Sequence, residues 1–466
     1  MNSRTRTLFA AHALLPGGWR NNVLLEWNDA GTLVAVTPDT HDAPPGVEAA
    51  RGPLVPGMPN LHSHAFQRAM AGLTEYRANP ADSFWNWRDL MYRFAARMTP
   101  ETLGAIARWL YVEMLKAGYT SVCEFHYVHH AADGKRYANP AEFAQRVVDA
   151  AGETGIGMTM LPVLYQYSGF NTQPPRDDQR RFINTVDEYF GILHKLREAR
   201  PEHAALSYGV APHSLRAVSE ASLRALIEGL DTLSPGAPVH IHIAEQTAEV
   251  DASIEALGAR PVQWLLDHFD VNARWCLVHA THINARETAA LARTGAVAGL
   301  CLTTEANLGD GIFPAMEYLN AQGAFGIGSD SHIGVDWRSE LRLLEYGQRL
   351  LRRERNVLAS EQTAHVADRL FCGALHGGAR ATGRAVGALE EGARADWIVL
   401  DAGHPHLAEQ RSATWLSSVV FGEHGESPVR DVVVGGVRVV HDRRHRDEAR
   451  LYADYRKALS CLLADA

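Results

Sequence analysis

The middle of this chain repeats one pattern: a short apolar run, a stretch of helical periodicity, then another apolar run. The runs fall at 54–58, 121–125, 158–164, 206–210, 239–243, 275–279, 297–302 and 325–330. Most are near-continuous blocks of apolar residues, as expected of strands buried on both faces. Helical spacing separates most of them, for example over 104–117, 141–151 and 286–293. Buried strands alternating with helices predict an α/β protein with a parallel sheet. Eight of them predict a (β/α)8 barrel of the TIM type. A doubly wound open sheet is the rival, but its glycine fingerprint is absent after the first run.

The two ends of the chain read differently. Residues 22–27 and 33–36, and later 396–401 and 432–440, are short strand-like runs separated by turns. Gly435-Gly436 predicts a two-residue hairpin within the last of these. Both termini are therefore expected to build one small β-sandwich domain from 1–55 plus 386–445. It would flank a catalytic barrel over 56–385, with a C-terminal helix in 446–466. A length of 466 residues, long for a single core, agrees with that division. The segment Arg4 to Leu15 loosely imitates a secretion signal. Its apolar run is short, contains His12 and lacks a cleavage site, so it predicts a first strand.

Composition narrows the class of partner. A net charge of −9 is mild and argues against general nucleic-acid binding. No stretch approaches the ~20 apolar residues that span a membrane. Five scattered cysteines without a Cys-x-x-Cys pair fit a reduced, cytoplasmic protein. Basic residues are almost all arginine, the lysines being Lys116, Lys135, Lys195 and Lys457.

In a (β/α)8 barrel, chemistry gathers where the strands end. The first run leads into His62-Ser63-His64, and the fifth ends in His240-Ile241-His242 with Glu245 just beyond. The sixth ends in His279 and the eighth in Asp330. Residues two apart on a strand share a face, so His62 and His64 can turn to one ion. His242 and Asp330 can complete a nitrogen-and-oxygen set suited to zinc, or to another divalent ion that accepts imidazole. Taken singly, each of these groups could be a satisfied polar residue, and His240 is expected to face the other way. His129, His130, His282 and His332 read as loop or supporting residues. The ordered set on four strand ends is what points to a metal centre.

His62-x-His64, His242-x-x-Glu245, His279 and Asp330, in that order, resemble the amidohydrolase superfamily in its deaminase branch. Val55-Pro56-Gly57-Met58-Pro59-Asn60 resembles that superfamily's entry into the barrel, and Gly387 to Asp396 its return to the small domain. The resemblance implies a metal-dependent hydrolytic deaminase with His62, His64, His242 and Asp330 as metal ligands. Glu245, His279 and Asp330 are the implied catalytic groups: Asp330 takes the proton of the attacking water, Glu245 carries one to the substrate nitrogen, and His279 holds the oxygen. Many members bridge two metals with a carboxylated lysine after strand four. None of the four lysines lies there, so one divalent ion per chain, zinc, is the expectation.

The loops at the strand ends speak to the substrate. Those at 62–73, 84–92, 125–130, 213–218 and 304–313 resemble a deiminase that acts on a small linear amidine with two carboxylates. That similarity implies substrate contacts at Gln67, Arg88, Tyr127, His213 and Arg216. Arginine forks match carboxylates bidentately. Arg88 could equally cover apolar surface from its tryptophan-rich helix, and Arg216 could cap a helix. The alternative within the branch is a deaminase acting on guanine or a related heterocycle, with stacking in place of paired arginines. A non-catalytic scaffold is opposed by the intact ligand set. A homodimer is compatible with the family, and Gly309 and Gly311 are the candidates for a hinge.

Overall fold

The computed structural model describes residues 5–75, 84–422 and 425–464. In the segment 84–92, the side chains of Phe84, Trp85 and Asn86 lie outside the described residues.

Among the described residues the barrel strands are Met58–Ser63, Tyr119–His126, Gly157–Leu164, Leu206–Tyr208, Val239–Ile243, Trp275–His279, Val297–Leu300 and Ala324–Ile327. They pair in parallel in two runs, first to fourth and fifth to eighth. Parallel bridges Val210–Val239 and Ser214–His242 join the two runs on one side, and Ser63–Asp330 joins them on the other. The ring is closed, and its closing bridge carries Asp330 next to the two histidines of the first strand.

Helix ends set where strands begin. Helix Pro100–Ala117 starts at Thr99, whose hydroxyl accepts from the Thr102 N–H at 3.2 Å. It stops at Gly118, left-handed with φ +102°, and the second strand starts at Tyr119. The strands are buried on both faces, with Val122, Phe125, Met160 and Leu161 fully buried. Each such side chain contributes about 1.5–3 kcal/mol.

Both termini build the second layer. Strands Arg6–Leu15, Gly18–Trp27, Leu33–Thr37 and Leu54–Pro56 join Trp397–Leu400, Val429–Val434, Val437–His441 and Arg444–His445, with Glu48–Ala49 beside the first. Hydrogen bonding runs continuously through these as one nine-stranded mixed sheet. It curls enough for Trp27 and Trp397 to meet edge-on at 5.1 Å across its apolar core. The hairpin at Gly435-Gly436 forms, with both glycines at positive φ. The C-terminal helix is Glu448–Leu463 and packs on helix Pro100–Ala117. Among the described residues no helix is long and apolar enough to cross a membrane.

Some sequence expectations shift. Residues 54–56 belong to the small sheet, not the barrel: Leu54 pairs with Ala13, and Pro56 with Trp397. Gly57 is the crossing point, pressed so close to Thr120 that any side chain would collide with it. The fourth strand breaks after Tyr208 and resumes at Ala211–Pro212. The seventh ends at Leu300, and 302–308, expected as a strand end and loop, is helix Leu302–Leu308.

Candidate active site

At the mouth of the barrel, three imidazoles converge. His62 Nε2 lies 3.1 Å from His64 Nε2 and 3.0 Å from His242 Nε2. Asp330 Oδ1 stands 3.4 Å from His62 Nε2 and 3.3 Å from His64 Nε2. All four residues are buried. Burial lowers the pKa of His62 to about 3 and also lowers those of His64 and His242, so the rings are neutral. His64 Nδ1 lies 2.8 Å from the Phe125 carbonyl and donates to it, which leaves the lone pair on Nε2. Burial alone would raise the Asp330 pKa, but the hydrogen bond with His62 and the charge on His279 outweigh it and hold the carboxylate ionised. Neutral rings whose Nε2 atoms crowd one point beside a carboxylate cannot all be satisfied by hydrogen bonds among themselves. A divalent cation satisfies all of them, so the donor set fits a metal.

The intervening Ser63 points the opposite way and braces the strand. Its hydroxyl donates to Glu124 Oε2 at 2.6 Å, while Glu124 Oε1 accepts from the Ala65 N–H at 2.6 Å. His332 bridges the hydroxyls of Ser63 and Ser329 at 3.2 and 3.0 Å. Asp330 follows directly, in the left-handed region at φ +46°, as are Ala244 at +52° and His279 at +70°. Non-glycine residues in this region at three strand ends mark where the backbone is strained to aim side chains inward. His240 faces away, as expected, bonded to the Ala381 carbonyl at 2.8 Å.

One wall of the site is acidic. Glu245 Oε1 lies 3.8 Å from His279 Nε2, and Glu245 Oε2 3.9 Å from Arg216 Nη2. His279 Nδ1 is 3.2 Å from Glu305 Oε1, which also accepts the Cys301 N–H at 2.9 Å. Burial opposes a charge on His279, but Glu245, Glu305 and Asp330 carry its pKa up to about 10. The sequence reading assigned no role to Glu305 or to nearby Asp310. The available signal is a pair of carboxylates inside the segment 304–313.

The remaining residues expected at the site complete the lining of the pocket. Gln67, on the short helix Ala65–Met70, donates to the Tyr127 hydroxyl at 2.9 Å. Arg88 lies over the Tyr92 ring at 5.6 Å. His213 packs against Tyr165 at 4.3 Å between ring centroids, and its Nδ1 is 3.0 Å from Ser214 Oγ. Arg216 is mostly buried, and its Nε has no hydrogen-bond partner. All five line one pocket with His64, His242, Glu245, His279 and Asp330. His62 lies beneath. The structure thus brings together every residue that the sequence singled out for the site. It adds Trp87, Met91, Tyr92, Tyr165 and Leu308 to the lining.

Residues 54–439 match the Amidohydrolase family. The chain belongs to that family. Among its relatives is the formimidoylglutamate deiminase of Pseudomonas aeruginosa, 51% identical over 98% of this chain and 99% of that one. An amidohydrolase crystal structure from Brucella melitensis superposes with a TM-score of 0.92 at 46% identity, covering 98% of this chain and 100% of the other. An adenosine deaminase of Xanthomonas campestris with bound zinc shares the fold, with a TM-score of 0.79 and 22% identity over 98% of both chains. The amidohydrolase barrel and its terminal sheet are thus common to enzymes with different substrates.

Proposed function

We propose that this amidohydrolase is a hydrolytic deiminase that converts N-formimino-L-glutamate to N-formyl-L-glutamate and ammonia. The observation that carries this is the make-up of the pocket. A cluster fit for a cation, with Glu245 and Asp330, and two arginines, Arg88 and Arg216, line one cavity. A substrate with a cationic amidine head and two carboxylates matches both kinds of group. The identity with the Pseudomonas aeruginosa deiminase supports it.

His62, His64, His242 and Asp330 would hold one divalent ion, zinc. Such an ion supplies Lewis acidity, bringing the pKa of a water towards ~7. Asp330 takes a proton from the attacking water as its oxygen adds to the formimino carbon. His279, kept charged by Glu245 and Glu305, donates to that oxygen. The Glu245 carboxylate takes the remaining hydroxyl proton of the adduct and delivers it to the amidine nitrogen. The C–N bond breaks, ammonia leaves, the formyl C=O forms, and Asp330 releases its proton to the departing ammonia. General acid–base transfer of this kind contributes ~10²–10⁴-fold. Arg216 with Tyr127, and Arg88 with its polar neighbours, bind the carboxylates. Gln67 and His213 complete the pocket.

We further read the chain as a barrel of 56–385, its first strand starting at Met58, a small domain from 1–55 plus 386–445 whose sheet also takes in Pro56, and a terminal helix. Its five free cysteines support a cytoplasmic setting. The test is ammonia release by the zinc-loaded protein from N-formimino-L-glutamate, with guanine and N-formimino-glycine as controls. Turnover of the glutamate compound and one ion per chain are expected. Activity on guanine alone, equal activity on the glycine analogue, or two bound ions would overturn the corresponding part.

A further inference from the structure

Asp310 is built into the site from three directions. It follows Gly309, the left-handed residue that ends helix Leu302–Leu308, and its N–H donates to the Glu305 carbonyl at 2.9 Å. Its own carbonyl lies 2.8 Å from His282 Nε2, in the loop after the sixth strand. Its Oδ1 accepts from Gln246 Nε2, the side chain next to Glu245 in the loop after the fifth strand. The residue therefore ties together the two loops that carry His279 and Glu245. Its other oxygen, Oδ2, is buried and has no hydrogen-bond partner. Glu245, His279 and Asp310 each bring one ligand atom to within 4.8 Å of the others.

We propose that Asp310 is a positioning residue for Glu245: a neutral carboxylic acid whose Oδ2 hydroxyl donates to the Glu245 carboxylate. This rests on the assignment of Glu245 as the proton carrier. Two carboxylates this close and this dry share one proton. Cations decide which one keeps it. Glu245 faces Arg216 at 3.9 Å and His279 at 3.8 Å, whereas the side-chain partner of Asp310 is the neutral Gln246. Burial, then Glu245, Glu305 and Asp330, push the Asp310 pKa up to about 9, with His279 acting against them. Burial raises the Glu245 carboxyl as well, but His279 and Arg216 act against it there, with Asp330 and Glu249 on the side of burial. Asp310 keeps its proton through the cycle. Its work is to hold the Glu245 carboxylate ionised and aimed while Glu245 moves protons.

Asp310→Asn retains a neutral donor and an acceptor, while Asp310→Ala retains neither. In zinc-loaded protein acting on N-formimino-L-glutamate, Asp310→Ala is expected to lose about 10²-fold in kcat with KM and metal content little changed, the scale of a misplaced catalytic group. Asp310→Asn is expected to keep kcat within about threefold, and to hold it to higher pH than the wild type. An infrared difference spectrum, wild type minus Asp310→Asn, should show a protonated-carboxyl band at neutral pH whatever the substrate. Absence of that band, a loss in Asp310→Asn equal to that in Asp310→Ala, unchanged turnover in Asp310→Ala, or identical alkaline limbs would each overturn the proposal. Glu245→Gln separates the two claims. If that variant keeps full turnover, the shuttle assignment falls; if it is inactive while Asp310→Ala is normal, only the role of Asp310 falls.

Discussion

The floor and the acidic wall of the barrel mouth hold chemically identical side chains in opposite states. The His62 and His279 rings are 6.2 Å apart and both are buried. Burial drives His62 down to about 3, and its ring neighbours His64 and His242 leave it neutral. His279 suffers the same desolvation but stands between Glu245 and Glu305 and rises to about 10. The neighbours, not the depth, decide the charge. One region therefore offers lone pairs to a cation, and the other offers a proton to a developing negative oxygen.

Removing a lone pair from the floor should have the largest effect. His242→Ala should abolish zinc binding, measured by metal analysis, and reduce ammonia release to background. Full metal content in that variant would break the distinction between floor and wall. Arg216→Ala removes a mostly buried guanidinium from the substrate end. It should raise KM about 10–10²-fold with kcat less affected, a split read from steady-state kinetics. An unchanged KM would show that Arg216 does not bind a carboxylate.

Glu305→Gln sharpens the wall most subtly. The raised His279 pKa means that the ion pairs contribute stability fully below the unfolded value of ~6.5. That contribution fades as pH rises through about 10. In metal-stripped protein the wild type should therefore exceed Glu305→Gln in Tm most clearly in mild acid, and the gap should close in alkali. A gap independent of pH would mean that Glu305 only packs against the ring.

The floor was legible because its chemistry is written as histidines at the ends of recognisable runs. The run 239–243, which ends just past His242, coincides with strand Val239–Ile243. Alternation along the fifth strand also separated His242 from His240, which bonds to Ala381. The wall was only half legible. Glu305 and Asp310 lie on a short helix and its C-terminal turn, where carboxylates ordinarily face water, and their burial comes from packing against other strand ends. The run at 54–58 failed for a related reason. Apolarity marks a strand as buried but does not say which sheet buries it, and the switch at Gly57 depends on contact with the distant Thr120.

The most direct test of the central claim is an NMR titration of isotope-labelled histidine side chains with zinc at neutral pH, assigned with His62, His64, His242 and His279 variants. The account predicts that the rings of His62, His64 and His242 shift together on binding one equivalent, while His279 remains a doubly protonated imidazolium. A neutral or zinc-coordinated His279, or a floor histidine that ignores the metal, would contradict it.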